Sequence, residues 1–112
     1  MDNFEILKIM KEALEDKKSR AVTAIDISEI SSVADYFLIG EGDNIHQLRA
    51  MSDEINERLS KIGVNLKQSE GYEGGYWILL DYGDIVVHLF DRESHALYDL
   101  ERIWADGKKV AL

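Results

Sequence analysis

Leu7, Met10 and Leu14 recur at intervals of three and four residues, which lays one apolar stripe along a helix. Asp2 and Glu5 precede the stripe at the spacing of a capping box, with Asp in place of Ser or Thr. A helix is therefore predicted from Asp2 to about Lys18. Ala21 to Ile27 alternates weakly and reads as a strand, and Ser28 to Ser32 as a turn or a single helical turn. Asp35 to Gly40 is apolar enough for a strand buried on both faces. The clearest element follows. Ile45, Leu48, Met51, Ile55, Leu59 and Ile62 step by three or four. Asp43 or Asn44 stands where an N-cap belongs, and Gly63 stands where a C′ residue belongs.

The second half reads as strands. Val64 to Ser69 is a third strand, and Gly71 to Gly75 is a Gly-rich turn. Tyr76 to Asp81 and Ile85 to Phe90 form a hairpin across the tight turn Tyr82-Gly83-Asp84. A last helix is predicted from about Arg92 to Trp104, with Leu97, Leu100 and Trp104 toward the core. Asp106-Gly107 ends it, and the tail from about residue 107 is expected to be loose. The order α-β-β-α-β-β-β-α predicts one α/β domain over residues 1–112: a mixed five-stranded sheet flanked by helices. The helix between strands two and three allows a parallel pair, and the hairpin supplies an antiparallel one.

Composition narrows the chemistry. With 112 residues, 46% hydrophobic and 31% charged, the chain suits one modest core. It has no cysteine, which excludes disulfides, thiol catalysis and Cys-ligated zinc and suits a cytoplasmic address. No apolar run approaches the roughly 20 residues of a membrane span, and the acidic start lacks the cationic region of a secretory signal. The net charge of −9 opposes nucleic acid and anionic membranes and favours a basic protein partner.

Residues 68–91 concentrate that character. They contain no Lys or Arg, five acidic residues and five of the ten aromatics. Aromatics supply anchoring area at an interface, and carboxylates supply steering. The same run also reads as two ordinary core strands joined by polar turns. Along the first strand of the hairpin, Trp77, Leu79 and Asp81 share one face, and Tyr76, Ile78 and Leu80 share the other. Along the second strand, Val86, His88 and Phe90 alternate against Ile85, Val87 and Leu89. The face with Trp, Asp and His is the less apolar, so it is expected to point outward.

Catalytic signals are weak. His46, His88 and His95 lack the spacing of one metal site. Gly40-Glu-Gly-Asp lacks the third glycine and the base of a phosphate cradle. Asp26, Asp35, Asp81 and Asp84 could hold Mg²⁺ for nucleotidyl transfer only if they converged, and Asp81 and Asp84 are separated by a turn they more naturally cap. No catalytic residue, metal or cofactor is predicted.

Three motifs carry a resemblance. The run Gly75-Tyr-Trp-Ile-Leu-Leu-Asp-Tyr-Gly-Asp-Ile-Val-Val-His-Leu-Phe90 resembles the signature of the ribosomal silencing factor (RsfS, or Iojap) family. So do Ser32-Val-Ala-Asp-Tyr-Phe37 and Tyr98-Asp-Leu-Glu-Arg-Ile-Trp104. The resemblance covers about Lys8 to Trp104. It implies a nucleotidyltransferase-like fold without catalytic motifs. It also implies a non-enzymatic translation repressor that binds ribosomal protein L-fourteen on the large subunit and blocks joining of the small subunit. Free members are often homodimers, and organellar relatives act in ribosome assembly. The family's partner surface falls here on Trp77, Ile78, Leu79, Asp81 and Tyr82, with His88 as a neighbour. One departure is His46, where relatives usually carry Arg. The alternatives are a small metal-dependent nucleotidyltransferase relative or a ribosome-assembly factor, and a third reading is a homodimeric module with another basic protein client.

Overall fold

The computed structural model describes residues 1–112. Helix α1 (Asn3–Asp16) starts where Asp2 accepts a 2.9 Å hydrogen bond from the Glu5 amide, which satisfies one of the orphan donors of the first turn. Leu7, Met10, Ala13 and Leu14 are its buried stripe. Helix α2 (Ile45–Lys61) is capped at Asn44 by the Gln47 amide at 2.9 Å. It ends at Gly63, whose φ of +79° suits glycine. The Val64 amide reaches back to the Leu59 carbonyl and the Gly63 amide to that of Ser60, the paired bonds of a Schellman terminus. The spacing of apolar residues and caps predicted both helices.

The sheet has six strands rather than five, in the order β3-β4-β5-β2-β1-β6. These are β1 (Val22–Asp26), β2 (Tyr36–Gly42), β3 (Gln68–Glu70), β4 (Trp77–Asp81), β5 (Ile85–Asp91) and β6 (Lys108–Lys109). The predicted third strand shrinks to three residues at one edge. The parallel pair is β2 with β5, registered Leu38 to Val87, and not β2 with β3. The α2 crossover returns the chain in the parallel direction, but the β4–β5 hairpin places β5, the most apolar strand, beside β2. Every residue of β5 from Ile85 to Phe90 is buried, as a strand covered on both faces must be.

Two corrections fall at the C-terminal end. The predicted last helix is two: α3 (Arg92–Tyr98) and α4 (Leu100–Ile103), separated by Asp99 in the left-handed conformation at φ 44° and ψ 57°. The bend turns Leu97 to solvent, 74% exposed, while Leu100 is buried and Trp104 packs at the edge of the core. The tail is not loose. β6 pairs antiparallel with β1, Val110 donates to the Ala24 carbonyl at 2.9 Å, and Val110 and Leu112 pack on the core. Five residues with alternate apolar side chains suffice to close the exposed edge of β1.

The sheet divides the core into two layers. α1 and α2 cover one face, with Leu7, Met10, Leu14, Met51, Ile55 and Leu59 against Leu38, Ile78, Leu80, Val87 and Leu89. α3 and α4 cover part of the other, where Ile25, Ile39, Val86, Phe90 and Leu100 form a smaller cluster. No helix is long and apolar enough to cross a membrane.

Candidate functional site

The second face of the sheet is where the hairpin's aromatic and acidic residues meet. Trp77 opposes Phe90, Leu79 opposes His88 and Asp81 opposes Val86 across β4 and β5. On the outer side Gln68 opposes Asp81 and Glu70 opposes Leu79. Paired residues project to the same side of a sheet, so Gln68, Glu70, Trp77, Leu79, Asp81 and His88 lie on one surface.

α3 begins directly after β5 because Asp91 caps it, accepting from the Ser94 amide at 2.7 Å. The helix then folds back over this surface. The His95 ring stacks on Phe90 with centroids 5.6 Å apart, and Tyr98 lies 4.7 Å from the Trp77 ring. Trp104 packs edge-on against Phe37 at 5.2 Å. The cover ends at Trp77. Leu79 and Asp81 are partly buried, and Gln68 and Glu70 are exposed. The outcome is a partly open apolar strip, Trp77 and Leu79, bordered by the carboxylates of Glu70 and Asp81.

The expectation that this whole face points outward is therefore corrected. His88 is only 5% exposed and Phe90 is fully buried, because α3 and α4 need an apolar floor and the β2–β5 pair supplies it. His88 Nδ1 accepts a 3.0 Å hydrogen bond from the Trp77 indole N–H. Burial pushes its pKa down to about 4, so the ring is neutral at pH 7 with its proton on Nε2. Ile78 and Tyr82 lie on the opposite face. Ile78 is completely buried among the α1–α2 layer. Tyr82 is buried there too, its hydroxyl donating to Asn56 Oδ1, and burial raises its pKa. Neither presents its side chain on the surface that carries Trp77. Asp81 caps the turn as expected, accepting from the Gly83 amide at 2.8 Å.

Trp77 owes its place to the loop before it. Gly71 has φ +81°, and a Cβ there would stand 2.0 Å from the Trp77 carbonyl oxygen, so no other residue fits. Arg49 of α2 pins the same loop by donating to the carbonyls of Tyr72 and Glu73 at 2.9 and 3.1 Å. Sequence reasoning missed Tyr98, Gln68 and Glu70 as members of this surface. The alternation of Gln68 and Glu70 was visible, but their side of the sheet depends on registration with β4.

Three of the four acidic residues weighed as metal ligands hold separate partners instead. Asp26 accepts from the Ser28 amide and hydroxyl at 2.9 and 2.6 Å, Asp81 from Gly83 as above, and Asp84 from the Asn3 amide group at 3.4 Å. No three His, Asp or Glu side chains are grouped to hold a metal ion. His46 is exposed at the start of α2.

A second polar cluster sits where α3, α4 and β2 meet. His95 Nδ1 lies 2.6 Å from Glu41 Oε1, and Nε2 lies 2.7 Å from Glu101 Oε2. A neutral imidazole has one N–H, so only the imidazolium donates to both. Burial alone would lower the His95 pKa, but the two carboxylates outweigh it and the pKa is raised. Arg92, Ala96 and Asp99 complete the rim of this open depression.

Comparison with known proteins agrees with this architecture. The chain is 39% identical over 112 residues to the ribosomal silencing factor RsfS of Halalkalibacterium halodurans, covering 100% of this chain and 96% of that one. It is 40% identical over 107 residues to the RsfS of Bacillus subtilis, covering 96% and 91%. A crystal structure of a Chromobacterium violaceum protein superimposes with a TM-score of 0.91 at 35% identity, covering 100% of this chain and 92% of that one. The family described as "Ribosomal silencing factor during starvation" matches residues 2–112. This chain belongs to the ribosomal silencing factor family, RsfS.

Proposed function

We propose that this chain is a cytoplasmic translation repressor that binds ribosomal protein L-fourteen on the large ribosomal subunit and blocks joining of the small subunit by occupying its path. It catalyses nothing, its fold is a nucleotidyltransferase-like scaffold used for binding, and the free chain pairs with itself as a homodimer. One observation carries the reading beyond family membership. The open part of the second sheet face combines a partly exposed Trp77 and Leu79 with Glu70 and Asp81, in a stretch that has no Lys or Arg. A Trp anchor beside carboxylates that no Lys or Arg of this chain neutralises fits a basic protein surface. Ile78, Tyr82 and His88 support this surface from below rather than touch the partner.

Occupancy predicts stoichiometry. Inhibition of subunit joining should saturate near one copy of this chain per large subunit, with no nucleotide or metal added. Trp77→Ala should lose potency in step with binding, by about 2 kcal/mol or more if Trp77 is the anchor. Time-dependent inactivation at substoichiometric amounts would mean turnover and would overturn the steric reading.

A further inference from the structure

His88 is an odd occupant of its position. It borders an apolar cluster that includes Ile25, Ile39, Val86, Phe90 and Leu100, with Phe37 and Trp77 beside it, and a Phe there would bury no polar atom. Its Nε2 is buried and has no hydrogen-bond partner. A neutral ring that accepts at Nδ1 carries its proton on Nε2, so an N–H donor is left unsatisfied inside the protein, which destabilises the fold. The ring's only polar contact is the Trp77 indole N–H, 3.0 Å from Nδ1. The Phe37 ring meets the imidazole edge-on at 4.6 Å and fixes its orientation.

We infer that His88 is a positioning residue that acts through Trp77: it engages the indole N–H, sets the ring's angle at the end of the α3 cover, and leaves only carbon exposed on the Trp77 side chain. The inference rests on the reading of Trp77 as the partner anchor. It also specifies the partner's chemistry. With its donor engaged inward, the indole offers no hydrogen bond to an acceptor. It offers an aromatic surface to an aliphatic stem or a guanidinium, with Glu70 exposed on the same face to pair the charge. An Arg or Lys side chain laid across Trp77 satisfies both. Because His88 stays neutral down to a pKa of about 4, the acceptor is present throughout the physiological range.

Three substitutions separate positioning from plain packing. His88→Phe keeps the volume and removes both the acceptor and the orphan donor. His88→Asn places Oδ1 close to where Nδ1 lies, keeping the acceptor in a smaller and more polar side chain. His88→Leu serves if the Phe variant misfolds. Stability is read by urea unfolding, the indole N–H of Trp77 by its exchange rate in NMR, and binding by titration of purified large subunits. The expected pattern crosses over. The Phe or Leu variant folds at least as stably as the parent, exchanges its indole proton faster and binds at least fivefold more weakly. The Asn variant is less stable yet binds within about twofold of the parent. A Phe variant that binds like the parent while Trp77→Ala binds poorly overturns the positioning role and leaves the anchor standing. A Trp77→Ala variant that binds normally overturns both. Binding that follows stability across the series also overturns the inference, because His88 is then packing alone.

Discussion

Removing the cation between Glu41 and Glu101 should produce a stability loss that fades as pH rises. His95 joins three elements, α3 through its own backbone, β2 through Glu41 and α4 through Glu101, with contacts of 2.6 and 2.7 Å. Hydrogen bonds to charged groups each contribute roughly 1.5–3 kcal/mol when dry. The His95 side chain retains 15% of its exposure and Glu101 retains 26%, so solvent screening reduces the pair. About 2–3 kcal/mol is the expected cost of His95→Gln near pH 6. The His95 pKa is raised in the folded state. Its contribution is thus fully present below the unfolded value of about 6.5 and is lost as pH rises through the higher folded value. Between those two values the parent should lose roughly 1.4 kcal/mol per pH unit relative to His95→Gln. His88 does not confuse the comparison, because both proteins carry it and it titrates with the opposite sign, destabilising the fold as pH falls below about 6.5. Urea unfolding of both proteins from pH 5.5 to 9 measures the gap. A gap that is constant, or that widens with pH, would refute the imidazolium assignment.

Two further outcomes follow from other features. Association with large subunits should slow as salt rises, and Glu70→Lys should reduce the on-rate more than the off-rate changes, because Glu70 is exposed on the open face, whereas Asp81 is committed to the Gly83 amide and Glu73 pairs with Arg49 at 3.6 Å; stopped-flow kinetics at several ionic strengths decide this, and a salt-independent rate would count against steering. Asp99→Gly should leave stability unchanged or raise it by up to about 1 kcal/mol, since φ 44° suits glycine better than Asp, and Asp99→Val should cost more than about 1 kcal/mol in thermal unfolding.

What the sequence determined by itself was local. Asp2, Asn44 and Gly63 act within a few residues of their own positions, so caps and apolar spacing defined α1 and α2 almost to the residue. The hairpin of β4 and β5 was legible for the same reason, as Asp81 turns the chain through a bond two residues away. Tertiary structure decided everything that depends on registration between distant strands. Both faces of the hairpin are apolar enough to be covered, so alternation alone could not say which face closes. The answer came from a break at Asp99 that no pattern announced, which let α3 and α4 fold over Phe90 and His88 while leaving Leu79 and Glu70 uncovered. The β2–β5 pair and the β6 edge are likewise long-range: a Lys-Lys-Val tail reads as solvent-seeking until the unpaired edge of β1 offers it hydrogen bonds and a core to pack against. Local signals set the elements because their energies are earned within a turn; the candidate site is a surface shared by β3, β4, β5 and α3, and exists only once those four elements have met.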